Sequence, residues 1–471
     1  MRLALPLRCG AFLATLALAS PALANGRYPA SGQIIVHPTD PKTVLVRATY
    51  GLLLTHDAGK DWGWICEAAV GYAGVEDPSM GFMSGGTLLA GIFEGLVEGT
   101  PDGCTWSFVH ALENKYVIDV AVDKVDPTRG VVMISNGVGT DDAGSPTFLT
   151  QVWQTSDTGK TWTQAGASLN PELLGLTVDT APSNPSRIYI SGRTGPPSYP
   201  GVLERSDDRG ATWQVLPIPG SDDTHLPYIG AVDPNNPDIV YVRIDSDPSD
   251  SLIVTKDGGM TWSTVFTASG KLNGFALSPD GSTVAVGTPG LPQPTGPNTD
   301  PGVWTAPAST LEFTQQSKVG ALCLAWAPSG LYACGNEFTD KFTAGLSTDN
   351  GKTFQPIMHL GGICPLMCAE PDSGVTQQCP TYWPAAAQTL GATCDLGAGG
   401  GSGAGGGGTG AGAGTSGHSG AQGTSASSSG GVAGGSSKSC SCSLPGSTGS
   451  GLAGLASLGL AGALLRRRRR R

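Results

Sequence analysis

The sequence predicts an all-β fold: a single seven-bladed β-propeller of four-stranded antiparallel blades, followed by a small cysteine-rich cap and a disordered glycine-rich tail. Three observations carry that expectation. Among 471 residues there are 71 Gly and 35 Pro while only 14% are charged, a composition that excludes helical bundles and coiled coils. An eight-residue pattern, Ser/Thr-x-Asp-x-Gly-x-Thr-Trp, recurs along the chain at intervals of about fifty residues. A proline turn recurs in phase with it, each time between short runs of β-forming residues.

Residues 1–24 read as a secretory signal peptide. Arg2 and Arg8 flank the start of an apolar stretch running from Cys9 to Ala19, and Ala22-Leu23-Ala24 supplies small residues at a cleavage site. The repeat then fills residues 25–360. Its octapeptide appears from Thr55 to Trp62 with Asp57 and Gly59, and from Thr100 to Trp106 with Asp102, one residue short. Further copies run from Thr155 to Trp162 with Asp157 and Gly159, and from Ser206 to Trp213 with Gly210 and the adjacent Asp207 and Asp208. The last two run from Thr255 to Trp262 with Asp257 and Gly259, and from Ser347 to Phe354 with Asp349 and Gly351. Counted from Asp57, Asp102, Asp157, Asp207, Asp257 and Asp349, the final gap is nearly double the others, and a decayed copy from Val303 to Phe313 falls inside it. Six copies and one decayed copy make seven units.

Asp40-Pro41, Asp126-Pro127, Asn184-Pro185, Asn236-Pro237, Pro279 and Pro328 each precede a β-rich run. Each unit therefore reads strand, proline turn, strand, loop, strand, octapeptide turn, strand, which is the content of one propeller blade.

The octapeptide resembles the Asp-box, or BNR repeat, of sialidases, sortilin-type receptors, xyloglucanases and photosystem assembly factors. The resemblance runs from Gly26 to His359. It implies that each Asp accepts backbone N–H bonds within its turn, that the Gly takes a conformation closed to other residues, and that the Trp packs between sheets. These Asp residues are accordingly structural, and the ligand face lies on the opposite side of the ring.

Sialidases clamp a carboxylate with three arginines, use a Tyr/Glu nucleophile with an Asp acid/base, and carry an Arg-Ile-Pro segment before the first box. Here Tyr28-Pro29-Ala30 stands near the start and no such segment exists. Arg47 and Arg243 occupy equivalent second-strand positions, with Arg193 two places further on in its own repeat, and none lies within a sialidase motif. Xyloglucanases share the Asp/Asn-Pro turns but build their cleft between two seven-bladed propellers, where this chain has one. The chain contains no HExxH, GxSxG or phosphate-loop signature. No catalytic residue and no metal ligand is assigned.

The expected function is a non-catalytic cell-surface recognition or scaffold propeller, a monomer that binds a glycan or a protein. The alternative is a surface glycoside hydrolase of sialidase-like or xyloglucanase-like type. The expected ligand face comprises Arg47, Arg193 and Arg243, Asp141 and Asp142, Tyr199, Asp222 and Asp223 with His225, Asp245, Asp247 and Asp250, and the loop from Gly287 to Gly302. Carboxylates beside tyrosines suit sugars, cations or basic protein surfaces. Asp245 to Asp250 offers calcium-type oxygens but lacks the Gly and distal Glu of an EF-hand, so no cofactor is expected and calcium is the only ion considered. Nucleic acid is excluded by charge. The net charge is −11, and setting aside Arg2, Arg8 and Arg466 to Arg471 leaves 19 basic against 38 acidic residues.

Eight of the eleven cysteines fall between the two terminal segments, an even number suited to disulfides in an exported protein. Cys323 and Cys334 flank Ala327-Pro328-Ser329-Gly330 symmetrically and are expected to pair across a hairpin. Cys66 and Cys104, at the first two octapeptides, are expected to bridge adjacent blades. Cys364, Cys368, Cys379 and Cys394 form a cap over residues 361–396 with three possible pairings.

Residues 397–439 read as a flexible linker: from Gly397 to Ser437 there are 19 glycines in 41 residues and no charged side chain. In residues 440–471, Cys440-Ser441-Cys442 precedes an uncharged stretch from Ser443 to Leu465 and six terminal arginines. That ordered trio resembles the myxobacterial C-terminal sorting signal (MYXO-CTERM). It implies processing near Cys440 or Cys442 by export and sorting machinery and lipid-linked display at the outer surface, a permanent tail anchor being the alternative. Protease treatment of intact cells should therefore release the propeller, and mass spectrometry of the mature protein should find Arg466 to Arg471 removed. Retention of those arginines would replace sorting by a plain anchor.

Overall fold

Each unit of the repeat folds as an up-and-down meander of four strands, turned by proline and octapeptide signals except in blade 2, whose first turn is Ser84-Gly85-Gly86, and blade 6, whose octapeptide is the decayed copy. The computed structural model describes residues 29–290 and 300–394. Seven such sheets follow one another, at residues 31–65, 79–108, 117–164, 174–217, 226–267, 274–317 and 323–358, numbered here as blades 1 to 7. Within every blade the strands are hydrogen-bonded antiparallel in sequence order. The first strands of neighbouring blades touch one another around the ring, so they are the innermost. Middle strands read as continuous apolar runs because each blade is covered on both faces: Leu52, Leu53 and Leu54 are buried, as are Val131 to Ile134. The decayed copy does form a blade, its third and fourth strands running Gly302–Pro307 and Thr314–Ser317. Phe313 stands in the usual Trp place and packs on Phe266 of blade 5, ring centroids 5.1 Å apart.

The octapeptide turns join third to fourth strands. At Thr255 to Trp262, Asp257 accepts the Thr255 hydroxyl at 2.8 Å, the N–H groups of Met260 and Thr261 at 3.0 and 2.8 Å, and the Thr261 hydroxyl at 2.6 Å. The Thr255 hydroxyl in turn accepts the Gly259 N–H at 2.8 Å. Gly259 has φ +102°, and a Cβ there would meet Leu203 of blade 4 at 2.8 Å, so glycine is required twice over. Asp57, Asp157 and Asp349 make the corresponding bonds. In the short copy Asp102 accepts the Thr100 hydroxyl and the Cys104 N–H. The fourth copy corrects the sequence reading of Asp207. Asp208 receives the Ser206 and Thr212 bonds, being the carboxylate two residues after the hydroxyl, while Asp207 pairs with Arg187 and Arg205. The indole N–H of Trp62 reaches the Ile357 carbonyl of blade 7 at 2.6 Å and that of Trp162 reaches Glu98 of blade 2 at 3.3 Å. Trp106, Trp213 and Trp262 donate to Gly103, Gly210 and Gly259 of their own turns.

After blade 7 the chain crosses to blade 1. Ile363–Pro365 adds a fifth strand, parallel to Trp62–Ile65, on the outer edge of that sheet. The helix Gly374–Leu390 follows, capped by the Ser373 hydroxyl and ended by Gly391 in the left-handed region, with Trp383 against Trp64 at 5.4 Å. Cys323 is joined to Cys334 as the hairpin symmetry requires. The expected Cys66 to Cys104 bridge does not form, and the four later cysteines are not a self-contained knot. Cys66 pairs with Cys379, Cys104 with Cys368, and only Cys364 and Cys394 pair within the segment. The reason is the fifth strand, which carries the segment past blades 1 and 2 and brings each of their cysteines a nearer partner than the other. Four disulfides in one folded unit are the mark of an exported protein.

The signal peptide, glycine-rich linker and C-terminal segment, with Cys440 and Cys442, lie outside the described residues. With Cys104–Cys368 closed, Cys66–Cys379 completes a loop of roughly 50 residues, so its loss should cost about 4 kcal/mol. Urea unfolding of Cys66→Ser/Cys379→Ser checks the value, and non-reduced peptide mapping checks all four pairings.

Candidate functional site

First strands begin, and second strands end, on the face opposite the octapeptide turns. That register puts Arg47 and Arg243, near the ends of Val44–Ala48 and Val240–Asp245, at the axial mouth. Both line one cavity of about 460 Å³, together with Gln33, Tyr228, Asn273, Phe275 and Leu324. It occupies the arc formed by blades 1, 5, 6 and 7. Arg47 lies along Gly32, where a Cβ would come within 2.8 Å of its Nη2, and it faces Asp77 at 3.6 Å. Arg243 stands 5.0 Å over the Tyr228 ring, donates to the Leu272 carbonyl at 3.0 Å and to Asp245 at 3.3 Å, and lies 3.5 Å from Asp250.

Around the other arc, polar side chains stitch the first strands. Gln33 exchanges two bonds with the Met80 backbone. Asp119 accepts the Ser79 hydroxyl at 2.8 Å and the Val178 N–H at 2.8 Å, linking blades 2, 3 and 4. Burial pushes its carboxyl up to about 6 against those bonds. Thr177 accepts the Ile229 N–H and so joins blades 4 and 5.

The other expected ligand-face residues are dispersed. Arg193 is buried 4.9 Å over the Tyr199 ring, away from the axial cavity. Three arginines therefore do not converge; two do. Asp141 closes its own hairpin by accepting the Ala143 and Ser145 N–H groups, with Asp142 exposed beside it. Asp222 accepts from Thr224 and from both the backbone and the ring of His225. Burial opposes its ionisation, but the His225 and Thr224 bonds prevail and hold its carboxyl far below the usual range. Asp223 lies beside it in the same turn.

In the loop 246–250, Asp247 precedes Pro248 in an exposed turn while Asp250 is fully buried. Asp250 accepts the Ser246 and Leu272 N–H groups, and Lys271 bonds both Asp245, at 2.8 Å, and Asp250, at 3.4 Å. Asp245 and Asp250, two of the carboxylates read as calcium-like, thus form an ion-pair cluster with Arg243 and Lys271. Among the described residues no group of three or more His, Cys, Asp or Glu is placed to hold a metal ion. Residues 291–299 of the Gly287 to Gly302 loop lie outside the described residues.

Sequence reasoning missed the neighbourhood of Phe93. Glu76 accepts the Phe93 N–H at 2.6 Å from the loop that also carries Asp77, and Phe93 stacks on Tyr116 with centroids 4.3 Å apart and planes 12° off parallel. Polar residues on first strands, namely Gln33, Asp119, Thr177 and Tyr228, were the available signal for the axis, since an innermost position facing apolar neighbours needs no polar group.

No protein-family model matches the chain. Among curated proteins it is similar to the xyloglucanase Xgh74A of Acetivibrio thermocellus, 29% identical over 174 residues, or 32% of this chain and 20% of the enzyme. The chain thus spans about a fifth of that relative's length. Among solved structures it is similar to an ancestral GH74 enzyme, with TM-score 0.48 and 12% identity, covering 70% of this chain and 46% of the other. It is also similar to the GH74 xyloglucanase of Xanthomonas campestris, with TM-score 0.40 and 16% identity, covering 71% and 46%.

Glu76 supplies a pH test. Burial, against the Phe93 bond, pushes its carboxyl from 4.5 up to about 7. A carboxyl raised on folding contributes stability that is full below pH 4.5 and is lost as pH rises through about 7. Glu76→Gln keeps the acceptor and removes the charge, so it should raise Tm at pH 8 by roughly 2–5 °C and leave it unchanged at pH 4, as read by thermal scanning.

Proposed function

We propose that this chain is a non-catalytic recognition or scaffold propeller displayed at the cell surface, binding a glycan or protein through the face opposite its octapeptide turns. In this reading the turns are Asp-boxes, and the C-terminal segment tethers the exported propeller to the outer surface by a lipid or anchor. The observation that carries it is the state of that face. Its axial cavity presents two guanidiniums and two aromatic rings, and the carboxylates beside those cations, Asp77, Asp245 and Asp250, are paired with Arg47, Arg243 and Lys271. Such a cavity can orient a ligand, and among the described residues its lining holds none of the paired carboxyl groups that glycosidic cleavage requires.

One observation favours the second reading, a glycoside hydrolase. The chain is similar over part of its length to a xyloglucanase, and burial raises the Glu76 carboxyl, beside Asp77, to about 7. The two readings separate on a glycan array probed with the purified propeller, followed by a hydrolysis assay on every bound glycan. Binding without turnover is expected. Turnover abolished by Glu76→Gln would install the hydrolase in its place.

A further inference from the structure

Blades 1 and 2 have the shortest connections between second and third strands, which turn on the ligand face. Their second and third strands are joined by two residues each, Thr49-Tyr50 and Phe93-Glu94, where the corresponding loops of blades 3, 4, 5 and 7 run from five to nine. Two large apolar side chains stand in solvent at this place, Phe93 in the turn of blade 2 at 40% exposure and Val75 in the link from blade 1 to blade 2 at 76%. The Phe93-Glu94 turn is fixed from both sides. Glu76 takes the Phe93 N–H, and the Asn114 N–H donates to the Glu94 carbonyl at 2.6 Å. Gly95, at φ +154°, lets the Leu112 carbonyl approach where a Cβ would sit at 2.7 Å. Tyr116 backs the Phe93 ring in a parallel stack. Lys115, next along the chain, leads to a second ring, its Nζ lying 5.3 Å over Trp153.

An exposed ring held this firmly loses little entropy when a ligand covers it. We infer that Phe93, backed by Tyr116 and flanked by Glu94 and Val75, is a stacking subsite for a neutral pyranose of a glycan chain. The ring takes the apolar C–H face of the sugar, as aromatic rings take apolar faces elsewhere. Glu94, Glu113 and the Asn114 side chain, all exposed around it, bond equatorial hydroxyls. Asp77, Glu94 and Glu113 outnumber Arg47 and Lys115 here, so acidic sugars are repelled. The inference rests on the recognition reading above and gives it a ligand class and a place.

The test uses the exported protein on an array of neutral and uronic-acid oligosaccharides, with titration of cellohexaose, mannohexaose and hexagalacturonate as named probes. Neutral glycans should bind, hexagalacturonate should bind at least about ten-fold more weakly, and Phe93→Ala should weaken the neutral ligands by about ten-fold or more. Phe93→Trp should retain them; Phe93→Ala, which also loses the Tyr116 stack, should lower Tm by no more than a few degrees, so its binding is read on folded protein checked by thermal scanning. Neutral binding left unchanged by Phe93→Ala overturns the subsite while leaving the recognition reading standing. Binding of no glycan overturns the subsite and the glycan reading together. A basic protein ligand that Phe93→Ala abolishes, with no glycan bound, assigns the platform to a protein instead.

Discussion

Ring closure is the constraint on which the rest depends. Blade 1 takes all four antiparallel strands from residues 31–65 and blade 7 all four from 323–358, so no strand from one end of the repeat completes a sheet at the other. The two blades meet through packing of the first strand Ser31–Val36 on Cys323–Ala327 and Gly330–Cys334, and through the Trp62 bond to Ile357. Segment 360–394 makes good the deficit. It pairs with the outer edge of blade 1, buries Ile363, Val375, Cys379 and Leu390 in the core shared by blades 1, 2 and 7, and locks there through Cys66 and Cys104. An edge strand that would otherwise expose unpaired backbone is covered by the same stroke.

Closure has a consequence at the axis. Seven inner strands held in a ring set a fixed separation between Arg47 and Arg243, which sit in blades that are distant in sequence. Hydrogen bonds from Gln33, Asp119 and Thr177 draw the inner strands of blades 1 to 5 together, and the open volume collects on the remaining arc, where Phe275 and Leu324 line it. The pocket is thus the complement of the stitching. It opens where the inner strands of blades 6 and 7 present Phe275 and Leu324 in place of side chains that hydrogen-bond the next strand.

Blade number, strand order and the role of the octapeptide turns were legible in the sequence because they are local and repeated. A turn needs its hydroxyl, carboxylate and glycine within five residues, and the same chemistry appears again at Asp57, Asp157, Asp257 and Asp349. One slip, Asp207 for Asp208, came from choosing between adjacent carboxylates without the hydroxyl register that distinguishes them. The pairing Cys323 to Cys334 was legible for the same local reason. Cys66 to Cys379 was not, since nothing local in the sequence says that 313 residues later the chain returns to its first blade. The site was half legible. Equivalent repeat positions put Arg47 and Arg243 on one ring of the fold, but Arg193, two residues further along its longer strand, turns to Tyr199 instead. Phe93 and Tyr116 carry no pattern at all, and their stack follows from a two-residue hairpin meeting the connection between blades 2 and 3.

The same hydrogen bond bears on both readings of function. A carboxylic acid kept protonated near neutral pH is what glycosidic cleavage needs, and Glu76 is the carboxyl at this face closest to that state. Its Oε1 is, however, already the acceptor for the Phe93 N–H, and its side chain is 6% exposed. An acid that must reach a glycosidic oxygen would have to leave that bond and the burial that raised it, and would return to an ordinary carboxylate on doing so. Left where it is, Glu76 does something the fold does use. It fixes a two-residue turn so that the Phe93 ring, backed by Tyr116, stands partly in solvent on the face opposite the octapeptide turns.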